Sequence, residues 1–76
     1  MSADLAQCAA AVLAFIRHKG PIVPGRYSVV GQAARAAGCS RARTEWALWH
    51  LEEQGLVVLG RAGTPRKPII RAEAAP

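Results

Sequence analysis

Seventy-six residues allow one small domain, and a chain this short buries only about 60% of its unfolded surface, which leaves little room for a substrate cavity. At 51% hydrophobic and 20% charged residues it is globular rather than disordered, yet it holds one Phe, one Tyr and one Met, so alanine-rich helices must pack closely around a thin core. Ten Lys+Arg against five Asp+Glu give a net charge of +5 and a pI near 10.3, with eight of the ten basic residues arginine, and this favours an anionic partner, most commonly nucleic acid.

The first element is a helix over about 3–19, capped by Ser2, with Asp4 in its first turn, where a negative charge suits the dipole. Leu5, Cys8, Val12, Phe15 and Ile16 recur at three- and four-residue spacing and form one apolar stripe. Arg17, His18 and Lys19 fill the last turn, and Gly20-Pro21 stops it. Residues 20 to 29, GPIVPGRYSV, read as a loop with a short strand near Arg26 to Val29. A second helix spans about 30–37 and ends at Gly38. Cys39 makes a turn, Ser40 caps a third helix over about 41–54, and Gly55 ends it. Leu56 to Leu59 and Pro68 to Arg71 then form a hairpin, about 56–72, with the basic tip GRAGTPRK between them. The chain end, within AEAAP, is expected to fray as a tail over 73–76.

In this order, AARAAGCSRARTEWALWHLEEQGLV followed by GRAGTPRKPIIRA resembles a winged helix-turn-helix over roughly residues 5 to 72. The stretch AxxAGCS, with AL and HLEEQGLV after it, is similar to the second and third helices of GntR-type regulators. The length of the third helix and the arginine after the hairpin glycine are similar to the DNA-binding domain of the SOS repressor. The resemblance implies a mostly α fold with a small β-hairpin (α+β), a three-helix winged helix-turn-helix in a single domain, and double-stranded DNA as the partner.

It also implies that the third helix lies in the major groove while the hairpin touches backbone or minor groove. Ser40, Arg41, Arg43 and Thr44 match the exposed start of that helix, and the two arginines are long enough to reach guanine O6 and N7. Thr44 falls where the family usually carries a β-branched apolar residue, which argues for partial burial. Glu45 departs from the arginine common there, and the favoured reading pairs it with Arg41 one turn back. In the wing Arg61, Arg66, Lys67 and Arg71 cluster with no acid among them, a pattern suited to phosphate or minor-groove contact. Arg26 and Arg35 are candidate phosphate contacts, and Gln32 occupies a position where the family often meets the backbone.

Both tryptophans belong to the third helix. On a wheel of about 100° per residue, Thr44, Ala47, Leu48, Leu51 and Gly55 form the core side, and Trp46 and Trp49 fall roughly 140–160° away. Three readings stay open: the wing or first helix folds over at least one indole, chiefly Trp49; the indoles touch DNA; or they form a protein interface. The last makes the alternative function a winged-helix interaction module that binds and regulates a component of nucleic-acid machinery, or a homodimer.

Cys8 and Cys39 carry no CxxC or His at ligand spacing and read as two small reduced core residues. The scattered acids, the distant His18 and His50, and the lack of phosphate-loop, dinucleotide or hydrolase motifs argue against an enzyme. No cofactor, metal or membrane partner is expected. Without a basic leader or a span longer than the apolar run 5–16, the expected location is the cytoplasm.

Overall fold

The computed structural model describes residues 3–61 and 69–76. Its elements are α1 (Ala3–Lys19), α2 (Val29–Ala37), α3 (Arg41–Glu53), β1 (Val57–Arg61) and β2 (Ile69–Ala74). The expected cap Ser2 and the hairpin-tip residues Arg66 and Lys67 lie outside the described residues.

Helix α1 buries Cys8, Ala9, Val12 and Ile16, while Leu5 and Phe15 at the ends of the expected stripe stay half-buried. Helix α2 starts one residue earlier than the pattern suggests. Ser28 caps it, its Oγ accepting from the Gly31 amide at 3.0 Å. The turn into α3 depends on Gly38, whose φ of 68° is a left-handed conformation that costs a β-carbon-bearing residue strain. Its amide and that of Cys39 both donate to the Ala34 carbonyl. Ser40 then caps α3 by accepting from the Arg43 amide at 3.2 Å. Thr44, Ala47, Leu48 and Leu51 are buried, the side of α3 that the wheel assigns to the core.

The hairpin is antiparallel, with Val57 opposite Ala74 and Leu59 opposite Ala72, and its register shifts between Gly60 and Arg61. Two expectations need correction here. The extended residue in the first loop is Ile22 rather than the stretch from Arg26 to Val29. Ile22 donates to the Ala72 carbonyl at 2.7 Å and accepts from the Ala72 amide at 3.0 Å, which adds a third, one-residue strand to the sheet. The reason lies in burial, since Ile22 and Ala72 are both inaccessible, whereas Arg26 and Tyr27 are exposed.

The C-terminal AEAAP is not a frayed tail through its length. Ala72 to Ala74 belong to β2, Glu73 lies opposite Val58, and the Ala75 amide donates to the Leu56 carbonyl at 3.0 Å. A small side chain at Ala72 lets this strand lie flat over the helices. One cluster joins α1, α2, α3 and both strands, with Val12, Ile16, Val29, Ala33, Ala47, Leu48 and Ala72 at zero exposure. No helix among the described residues is long and apolar enough to cross a membrane.

Truncating a side chain at the centre of so thin a core is expected to be severe. Leu48→Ala should cost about 2–5 kcal/mol, read as a lowered urea midpoint. Val58→Ala, on the exposed side of β1, should stay within about 0.5 kcal/mol. Equal losses at the two positions would contradict this assignment of the core.

Candidate nucleic-acid interface

Helix α3 presents Arg41, Ala42, Arg43, Glu45 and Trp49 outward, with Trp46 and His50 half-buried beside them. Its two N-terminal arginines diverge. Arg41 shares a groove with Tyr27, Gly31, Arg35 and Ser40, and its Nη2 lies 3.4 Å from Ser28 Oγ, the cap of α2. Arg43 instead borders a groove on the α1 side, together with Asp4, Gln7 and the two cysteines. The expected Arg41–Glu45 pair does not form, because Arg41 turns toward the α2 cap. Among the described residues, Arg41, Arg43 and Glu45 take part in no ion pair.

Arg35 stacks over the Tyr27 ring, 4.7 Å from its centre, so the Arg41 groove is walled by an arginine and an aromatic. Gln32 serves the fold. Its Nε2 donates to the carbonyls of Val23 at 2.7 Å and Tyr27 at 3.0 Å, which holds the first loop against α2. Both amide protons are thereby engaged, so the phosphate contact expected of Gln32 has no donor to make it. Thr44 is fully buried, with no exposed surface to offer a ligand.

The wing arginines within the described residues are committed to acids of the same chain. Arg71 Nη2 lies 3.2 Å from Glu73 Oε2. Arg61 pairs with Glu52 of α3 and lies 4.3 Å from the centre of the Trp49 ring. Trp49 is thus partly roofed by β1 yet keeps 37% of its surface exposed. Trp46 packs against the core cluster and stacks on His50, with ring centres 4.8 Å apart and planes 10° from parallel. The first reading of the tryptophan face therefore describes the free chain: one indole leans on the core and the other sits under a wing arginine.

Tyr27 and Ser28 are the residues that the sequence reading missed. Their loop gives no periodicity, and their link to Arg35 and Arg41 exists only once α2 and α3 are docked. The Trp46–His50 stack was legible as an i,i+4 spacing.

Beneath the Arg43 groove the Cys8 thiol is pushed up to about 11, first by burial and then by its hydrogen bond to Cys39, against smaller opposing effects of Thr44 and Arg43. Among the described residues, no cluster of three or more His, Cys, Asp or Glu side chains is placed to hold a metal.

No protein-family model matches the chain. No curated protein matches it either. Among solved structures, the Zalpha domain of PKZ from Carassius auratus, in complex with Z-DNA, is similar over 95% of this chain and 98% of its own, with a TM-score of 0.65 and 14% identity. Three helices and a closing antiparallel hairpin, laid out as in that domain, are a winged helix-turn-helix fold.

Two measurements check this geometry. Arg61→Ala should uncover Trp49 and shift tryptophan emission to the red, while costing about 1 kcal/mol, since the pair and the cation–π contact are both partly solvated. Unshifted emission would mean that Arg61 does not cover the indole. Cys8 supplies an alkaline limit. Below 9.0 both folded and unfolded states hold its proton; between 9.0 and about 11 only the folded state does, so stability falls as pH rises through that window. Cys8→Ala should flatten that decline, and an unchanged slope would assign it to other groups.

Proposed function

We propose that this chain binds double-stranded DNA, with the exposed side of α3 against the duplex and the hairpin beside it, as a small cytoplasmic regulator of transcription. The observation that carries the reading is the groove at the start of α3, where Arg35 and Arg41 stand beside Tyr27 with no acid pairing either cation among the described residues. Guanidinium groups so arranged suit phosphate oxygens or a guanine edge. Trp49 lies eight residues along the same helix, about 12 Å from Arg41 in axial rise. The groove and the indole thus span roughly the width of one major groove. The bound ligand of the Carassius auratus domain supports a duplex as the partner and makes the left-handed form a ligand to try beside the right-handed one.

In this reading Arg41 and Arg35 grip backbone or base, Ser40 and the first turn of α3 offer amides, and Arg43 holds a flanking phosphate from the α1 side. Arg66 and Lys67 join the contact from the wing on the strength of their charge in the sequence alone. The role is one of binding: no catalysis, cofactor or small-molecule effector enters. The alternative, a protein partner or second copy on the tryptophan face, rests on Trp49 alone, because Trp46 packs against the core.

The test is DNA anisotropy against salt, with one right-handed duplex and one held left-handed. Binding is expected to weaken steeply with salt, and Arg35→Ala with Arg41→Ala should lower the slope of log affinity against log salt by about 2. Affinity for neither duplex, or affinity indifferent to salt, would overturn the DNA reading. A preference for the left-handed duplex would mean that shape is read rather than base sequence.

A further inference from the structure

The groove between the N-terminal half of α1 and the α2–α3 turn contains groups that DNA binding leaves unused. Gln7, Cys8, Gly38, Cys39, Ser40 and Arg43 help to line it. Both cysteines are free thiols, and the fold brings them to the lining of this one groove although they stand 31 positions apart in sequence, at 8 and 39. Cys8 is buried, whereas Cys39 is half-buried, its Sγ 3.6 Å from the Ala37 carbonyl oxygen. Thr44 Oγ1, buried close to Cys8, makes no hydrogen bond.

We propose that Cys8 and Cys39 are an oxidisable pair, closed by a low-molecular-weight disulfide such as oxidised glutathione into a cross-link that ties α1 to the turn ahead of α3. Closing the link brings the two sulfurs to the roughly 2.0 Å of an S–S bond. Cys39 lies between the left-handed Gly38 and the cap Ser40, in the short turn that joins two helices.

Cys39, the more accessible thiol, reacts first. Its thiolate attacks one sulfur of the small disulfide, forming a mixed disulfide and expelling a thiolate that takes up a proton. Cys8 then releases its proton to solvent and attacks Cys39 Sγ. The mixed disulfide breaks, and the second small thiol leaves. Two protein thiols are oxidised to one disulfide, and the small disulfide is reduced to two thiols. Burial of the Cys8 thiol makes the second step the slow one and keeps the pair reduced until an oxidant accumulates. The link acts on the residue next to the α3 cap, so it constrains the first turn of α3. The inference does not depend on the proposed DNA binding.

The reduced full chain, incubated with oxidised glutathione and then alkylated, is examined by intact mass, peptide mapping and thermal melting. The expected product is a monomer lighter by two hydrogens, with the Cys8 and Cys39 peptides joined. Its melting temperature should rise by roughly 10 °C or more and fall back with dithiothreitol. Cys8→Ser should trap the glutathione adduct on Cys39, and Cys39→Ser should not oxidise within the chain. A lasting adduct on the native chain, a disulfide-linked dimer, or two thiols still free for alkylation would each overturn the proposal. Should Cys8→Ser fail to fold, the native mapping and Cys39→Ser carry the same decision.

Discussion

Close approach of alanine-bearing backbones is the constraint on which this fold rests. Ala33, Ala47 and Ala72 have no exposed surface, and Ala9 and Ala34 almost none, so α1, α2, α3 and β2 meet at small side chains. The remaining core space is filled by aliphatic residues such as Val12, Ile16, Ile22 and Leu48. Interiors packed at crystal-like density have no slack for a large ring. The aromatic residues consequently lie at the margin: Phe15 and Trp46 against the edge of the cluster, Tyr27 and Trp49 outside it.

That margin is where the charges settle. An exposed indole or phenol ring offers a negative face, and the nearest guanidinium groups take it: Arg35 over Tyr27 and Arg61 over Trp49. Arg61 also answers Glu52, and Arg71 answers Glu73. The net charge of +5 is therefore not spread evenly over available contacts. Among the described residues, Arg61 and Arg71 near the base of the wing are occupied within the chain, whereas Arg35, Arg41 and Arg43 around the start of α3 have no acid partner. A partner that claims Arg61 must displace Glu52 and uncover Trp49 in the same event.

The turn between α2 and α3 connects these two halves of the molecule. Gly38, Cys39 and Ser40 set the direction of α3 through two amide hydrogen bonds to the Ala34 carbonyl and one cap. The same three residues border both the Arg41 groove and the Arg43 groove or sit between them. Small changes in that turn reach the first turn of α3 directly, since nothing flexible intervenes between cap and helix.

Much of the fold was readable from residue order. The helix spans, the Ser40 cap, the glycine stop at 38, the core side of α3 and the hairpin follow from neighbours within one or two turns, where periodicity and capping chemistry act. Gln32 and the Arg41–Glu45 pairing were misread for one reason: each polar side chain had several partners within reach, and the docking of the elements chose among them. The meeting of Ile22 with Ala72, and of Cys8 with Cys39 at one groove, likewise joins residues far apart in the chain and follows only from docking. By itself the sequence determined a small basic winged helix-turn-helix and the core side of its third helix. Only the tertiary structure decided which of its arginines are already paired, because packing energy is set locally by size and period, while a surface charge takes whichever opposite charge or ring the docked elements bring within reach.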